Sequence, residues 1–170
     1  LLLYSEKYQL VHFEKTYFNV EEKLDEFVLQ CDVIVHLAAM NRHFDKTLVY
    51  NTNVELVEKL IASLKRTDSS AHVIMSSSSQ EEKNDLYGKS KKEGRKLLIN
   101  WADSSKGIFT GLIIPNVFGP FGKPNYNSVI ATFCHKITIG EKPEIHIDAE
   151  LNLIYVGELI IEILYVINNK

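Results

Sequence analysis

The sequence predicts an α/β fold, a doubly wound parallel sheet followed by a small C-terminal part. Three observations predict it. Strand-length apolar runs alternate with segments of helical periodicity along most of the chain. Two of those runs, 32–39 and 71–76, are close to continuously apolar, as strands covered on both faces are. A chain of 170 residues, 45% of them hydrophobic, is the size of one domain and can bury a substantial core.

The elements follow in order. Residues 8–14 (YQLVHFE) alternate as a strand does. Residues 20–29 have helical spacing, with Val20, Leu24, Phe27 and Val28 on one face and Asn19 as the expected N-cap. Residues 32–39 (DVIVHLAA) form the next strand. A long helix is expected from Lys46 to Arg66, with Leu56, Leu60 and Leu64 at four-residue steps. A strand at 71–76 and a helix from Tyr87 through Trp101 follow, then a strand at 108–114. Past Gly119, a loop with Pro120, Gly122 and Pro124 leads to a helix at 128–139, a short strand at 143–147 and a helix at 156–167. This order is Rossmann-like.

A Rossmann unit opens on a strand and a Gly-rich turn, and no GxGxxG or GxxGxxG occurs here. The bulky Lys-Thr-Tyr-Phe-Asn after residue 14 would keep backbone N–H groups from a pyrophosphate. Residues 8–14 are therefore read as the second strand. The first strand and its loop are expected from a longer parent protein, since the sequence also lacks an initiator Met.

Composition narrows the function. A net charge of −3 gives no nucleic-acid signal, and no apolar run reaches the length of a membrane span. The LLLY opening has neither the basic flank nor the cleavage site of a signal peptide. Cys31 and Cys134 sit in apolar surroundings and read as buried free thiols of a reducing cytoplasm. The histidines have no metal-ligand spacing, so no metal is expected. The cluster Lys89–Lys92 with Arg95 and Lys96 reads as a solvated helix face.

The chemistry sits in Tyr87-Gly-Lys-Ser-Lys91. Tyrosine and lysine four apart share a helix face. An ammonium there favours the phenolate, which lowers the tyrosine pKa and fits it for general acid–base work. The motif starts a helix nine residues after a strand that ends in Ser76–Ser79, and ligands of doubly wound sheets bind at such carboxyl ends. His36-Leu-Ala-Ala39 ends another strand, where small side chains admit a flat cofactor or simply pack tightly. His36 itself reads as a satisfied core histidine. Asn53, near the start of its helix, has capping as its ordinary role.

HLAA, the later NTNV, the serine run, YGKSK and PNVFGP resemble, in order and spacing, the extended short-chain dehydrogenases/reductases. VIVHLAAMNR, SSSSQ before YGKSK, and KPNYNSVIATFCHKI resemble in particular the reductase domain of capsular-polysaccharide enzymes acting on UDP-2-acetamido-2,6-dideoxy-hexuloses. The resemblance implies a cytoplasmic enzyme that reduces a 4-keto sugar nucleotide with a nicotinamide cofactor in bacterial capsule or O-antigen synthesis. Ser78, Tyr87 and Lys91 would be catalytic. Leu37, Ala38, Ala39, Asn53, Ser76 and Pro115 would line the cofactor together with Tyr87 and Lys91. Asn41, Arg42, Ser78, Asn116, Lys123 and Asn127 would face the UDP-sugar. Residues 1–118 would be the dinucleotide-binding part and 119–170 part of the substrate-binding region. Relatives dimerise beside this motif, and Leu97, Leu98 and Trp101 would give apolar surface to a homodimer. No nucleic acid or membrane partner is implied.

Several positions depart from the family pattern. Ile113 stands where many members have Arg, and the usual YVDD-like segment reads Tyr155-Val-Gly-Glu158. Glu14 beside Lys15 leaves open whether a 2′-hydroxyl or a 2′-phosphate is bound, while the close subfamily leans to NADP(H) over NAD(H). An epimerase or dehydratase on the same scaffold is the alternative. Ser79-Gln80, where dehydratases add acidic residues, argues against dehydration. A non-catalytic dinucleotide-binding scaffold would typically lose Tyr87 or Lys91, and both are present.

Overall fold

A computed structural model describes residues 7–145 and 147–169. The LLLY opening lies outside the described residues, as does His146 of the expected strand at 143–147. The chain divides into two compact units, residues 1–113 and 114–170.

In the first unit, a 3-10 turn (Lys15–Asn19) leads into α1 (Glu21–Leu29), β1 (Val33–His36), α2 (Lys46–Arg66) and β2 (His72–Ser78). A second 3-10 turn (Ser79–Glu82), α3 (Leu86–Asp103) and β3 (Ile108–Ile114) follow. The sheet order is β1-β2-β3. β1 and β2 run parallel, with Val33 opposite His72 and His36 opposite Met75, so their carboxyl ends finish side by side.

α2 forms where expected because both ends are satisfied. The Asp45 carboxylate accepts from the N–H groups of Thr47 (2.8 Å) and Leu48 (3.2 Å), and Lys65 and Arg66 in the last turn complement the helix dipole. Arg66 then grips Asp25 of α1 with two bonds of 2.9 Å, which holds the two helices together. The core lies between the sheet and α2 and α3, where Leu60, Leu64, Val73, Leu98 and Trp101 are buried. Each such side chain contributes about 1.5–3 kcal/mol of burial. Gly94 lets α3 approach closely, because a Cβ there would press on Val57 of α2 and Met75 of β2.

Several sequence expectations need correction. Residues 8–14 are not a ladder strand, since among the described residues they pair with no other strand. Phe13 anchors them instead, packing edge-on against Phe18 and Phe27 with centroids at 5.3 and 4.8 Å. Asn19 does not cap α1. It ends the 3-10 turn, and Val20 stands at the cap without a side-chain bond. Leu98 and Trp101 fill their own core, so they are not dimer surface. Cys31 is half-buried and Cys134 is exposed. Lys91 and Arg95 turn inward from the basic cluster, leaving Lys89, Lys92 and Lys96 on the solvated face.

The second unit holds β4 (Asn116–Phe118), α4 (Val129–Thr138), β5 (Leu153–Tyr155) and α5 (Val156–Asn168). β4 pairs in parallel with β5, Asn116 opposite Leu153, so the unit takes up residues 114–118 that the sequence assigned to the first part. The expected strand at 143–147 is not formed at 143–145, and β5 takes that place later in the chain. Ser128 caps α4 by accepting from Ala131 N–H at 3.2 Å. No helix among the described residues is long and apolar enough to cross a membrane. Among those residues no His, Cys, Asp and Glu cluster could hold a metal ion.

Candidate active site

Parallel pairing brings the ends of β1 and β2 together, and α3 starts beside them. Leu37–Ala39 leave β1, while Ser76, Ser77 and Ser78 are the last residues of β2. The Ser76 hydroxyl donates to His36 O at 3.3 Å, joining the two strand ends. α3 begins at the Asp85 cap, whose carboxylate accepts from Gly88 N–H at 2.7 Å, and this fixes the first turn that carries Tyr87. One turn on, Lys91 is 4% exposed. Its ammonium donates to Ser76 O at 2.9 Å and lies 6.0 Å from the centroid of the Tyr87 ring. The Ser78 hydroxyl oxygen accepts from Gln80 N–H at 3.2 Å, which leaves its proton free to be donated.

The electrostatics correct one expectation. Burial, with the nearby Asp85 carboxylate, pushes the Tyr87 phenol above its ordinary range, where the sequence led us to expect a lowered value. The missing influence is that of Lys91, whose ammonium is turned to the Ser76 carbonyl. Burial also pulls Lys91 down to about 8, opposed by the charge of Glu81. His36 is buried and its Nε2 has no hydrogen-bond partner among the described residues, so it is not the satisfied core histidine expected. Burial, and then the Lys91 charge, lower it to about 4.

Asn53 is not a cap. It sits two turns inside α2, buried, and its amide is fully engaged. Oδ1 accepts from Met40 N–H (2.7 Å), while Nδ2 donates to Met40 O (3.1 Å) and Ser90 Oγ (3.0 Å). Ser90 in turn donates to Tyr87 O at 2.7 Å. Asn53 thus pins Met40, the residue that follows Ala39.

Sequence reasoning missed Ser90 and a second cluster. The buried Glu81 carboxylate accepts from the Ser77 hydroxyl and from a forked Arg95 guanidinium (Nη2 to Oε2, 2.7 Å). Arg95 stands one turn after Lys91, the same spacing that pairs Tyr87 with Lys91, and this was the available signal.

The remaining candidates are placed as follows. Asn41 and Arg42 are exposed in the loop after β1. In the second unit, Pro115 is half-buried before β4, and Asn116 on β4 donates from its backbone N–H to Asn152 O at 3.1 Å. Lys123 lies over the Tyr126 ring at 5.6 Å, and Asn127 is exposed just before the α4 cap.

The donor set fits the ribose and nicotinamide half of a dinucleotide. Lys91 is a buried cation that spends one of its three N–H donors on Ser76, and a ribose diol offers acceptors for the others. Ala38 and Ala39, partly buried in the loop after β1, carry only methyl side chains.

The chain is similar to several known proteins. A reductase from Pseudomonas aeruginosa, UDP-2-acetamido-2,6-beta-L-arabino-hexul-4-ose reductase, is 31% identical over 149 residues, which are 86% of this chain and 40% of that protein. The crystal structure of the capsular polysaccharide assembling protein CapF from Staphylococcus aureus is 33% identical with a TM-score of 0.73, over 88% of this chain and 40% of that one. UDP-glucose 4-epimerase from Thermotoga maritima shares the fold, with a TM-score of 0.78 at 20% identity over 88% of this chain and 56% of that one. The chain spans about two fifths of the length of the first two. Residues 4–170 match the NAD dependent epimerase/dehydratase family, and with the parallel sheet and the Tyr87–Lys91 helix in place, the chain belongs to that family, among the extended short-chain dehydrogenases/reductases.

Proposed function

We propose that this chain provides the nicotinamide side and the proton donor of an enzyme that reduces the 4-keto group of a UDP-2-acetamido-2,6-dideoxy-hexulose, with NADPH preferred to NADH. The observation that carries the reading is the placement of Tyr87 and Lys91 on one face of α3, with Lys91 bonded to the end of β2 beside Ser78. Similarity to the Pseudomonas reductase supports the substrate class, and similarity to the CapF structure supports a place in capsular polysaccharide assembly.

When bound, a reduced nicotinamide would supply a hydride to the carbonyl carbon. The chain's residues manage the oxygen. Ser78 donates a hydrogen bond to it, its own oxygen being held by Gln80 N–H. Tyr87 donates the proton. A phenol pushed above its ordinary range is fully protonated near neutral pH, the state that a proton donor needs. Lys91 holds the ribose; in the resting site its ammonium is turned to Ser76 O, and from 6.0 Å off the Tyr87 ring it swings towards the phenolate that proton donation leaves behind. Ala38 and Ala39 seat the ring, and Asn53 keeps their segment still through Met40.

The test uses the full-length parent protein with NADPH or NADH and a UDP-4-keto-6-deoxy-N-acetylhexosamine, following absorbance of the reduced nicotinamide. Substrate-dependent loss with NADPH ahead of NADH is the expected result. No loss, with NAD retained through purification, would replace the reading with an epimerase-type internal redox cycle.

A further inference from the structure

We propose that Ser77, Glu81 and Arg95 form a hydrogen-bonded clamp that positions Ser78 against Tyr87, with Arg95 as its anchor on α3. This inference rests on the reading of Ser78 as the group that donates to the reacting oxygen.

Ser78 and Tyr87 come from different elements, one from the end of β2 and the other from the first turn of α3. Both must meet one oxygen, so the strand end and the helix have to be held in register. The hydrogen bonds around Glu81 do this. Glu81 belongs to the 3-10 turn that directly follows Ser78, and it is buried together with Ser77. From β2, the Ser77 hydroxyl donates to the Glu81 carboxylate. From α3, Arg95 donates to it three times, from Nε at 3.0 and 3.1 Å and from Nη2 at 2.7 Å. A forked guanidinium fixes angle as well as distance, which a lysine ammonium does not. The fold also leaves a place for the Arg95 stem. Gly111 of β3 lies under it, and a Cβ there would come within 2.8 Å of Arg95 Cδ.

Ser78 lies inside that frame. Ser77, just before it, is bonded to Glu81, and Gln80 N–H, just before Glu81, holds the Ser78 hydroxyl oxygen at 3.2 Å. The Gln80 carbonyl packs against Gly88, the residue after Tyr87, where a Cβ would collide with it. Tyr87 and Arg95 lie eight residues apart on α3, about 12 Å along the axis, so a helix held at Arg95 carries Tyr87 with it. The other link between β2 and α3, from Lys91 to Ser76 O, reaches the strand two residues earlier and leaves the turn after Ser78 to the clamp. A buried, multiply bonded carboxylate has little freedom to move, and the turn shares that restraint.

The test uses the full-length protein and two readouts. The first is hydrogen exchange at the Gln80 amide, whose N–H is bonded to Ser78 Oγ. In Arg95→Met, Gln80 loses protection, while Met40 N–H, held by Asn53, keeps it. The second is a double-mutant cycle with Ser78→Ala. Arg95→Met lowers kcat roughly 10- to 100-fold in the parent background, with cofactor Kd nearly unchanged. In the Ser78→Ala background the same substitution adds little, because the group that it positions is gone. A merely structural Arg95 would cost the same factor in both backgrounds. That result, or an unchanged Gln80 amide, overturns the proposal. If Arg95→Met does not fold, Ser77→Ala takes its place, since it removes only the strand's bond to the carboxylate, and the same two outcomes overturn the proposal. Exchange is read without turnover. Wild-type turnover in Ser78→Ala would overturn the reading of Ser78 on which the clamp's catalytic role rests, whereas a Gln80 amide that responds to Arg95 shows the clamp itself.

Discussion

Asn53 Nδ2 donates to Ser90 Oγ across 3.0 Å, and this bond couples the loop after β1 to the helix of Tyr87 and Lys91. The two residues are 37 positions apart, and each also binds a backbone group of the site, Met40 on one side and Tyr87 on the other. The site is therefore braced by polar atoms of two buried side chains.

Asn53→Leu should break the brace. It removes three hydrogen bonds and leaves Met40 N–H and Met40 O without the Asn53 amide, at about 1–3 kcal/mol for each group left unsatisfied, while Ser90 Oγ keeps its bond to Tyr87 O. The expected outcome is a lower urea midpoint together with weaker cofactor binding. A loss of stability with unchanged cofactor Kd would limit Asn53 to the fold.

Tyr87→Phe and Lys91→Ala should separate chemistry from binding. Removing the phenol hydroxyl leaves the ring and Lys91 in place, so cofactor Kd is kept while kcat falls roughly 100- to 10,000-fold. Lys91→Ala should weaken cofactor binding and nearly abolish turnover, because both the ribose contact and the phenolate's support are lost. Isothermal calorimetry beside steady-state kinetics reads both. Unchanged turnover in Tyr87→Phe would remove the mechanism.

Much of this was legible in the sequence, and the reason differs by element. α2 and β3 were read with their true bounds, because leucines at four-residue steps and a strand-length, mostly apolar run are local signals. Tyr87 and Lys91 were read because their spacing alone puts them on one face. The role of Asn53 was not legible, since a partner 37 residues away leaves no local trace. The direction of the Tyr87 shift was misread for a related reason. Spacing places Lys91 near the phenol, but the Ser76 carbonyl that claims its ammonium comes from another element. Residues 8–14 alternate as a strand does, yet a ladder needs a neighbour that pattern cannot supply.

Gly88→Ala tests how tightly the serine turn is held. The added methyl meets the backbone of Gln80, which has no side-chain freedom with which to yield. Overpacking of this kind costs about 1–3 kcal/mol. The turn and Ser78 should shift with it, so kcat falls along with thermal stability. Wild-type kcat in a destabilised Gly88→Ala would separate the turn from catalysis.

His36 should make the protein lose stability in mild acid. Its folded value, about 4, lies below the ordinary 6.5, so between those pH values the unfolded chain binds more protons. Stability is fully present above 6.5 and declines as pH falls towards 4, by about 3 kcal/mol over the window. The upper part of that window isolates His36, because the Asp25 and Glu81 carboxylates lie below their ordinary 3.8 and 4.5 and are lost only in stronger acid. His36→Leu replaces a buried ring whose Nε2 has no partner with an apolar side chain. It should therefore flatten the stability curve between pH 6.5 and 4.5 while leaving the protein at least as stable at pH 7. Urea unfolding across that range measures the slope. An equal slope in the two proteins would mean that His36 is charged in the folded state and that its ring nitrogen has found a partner.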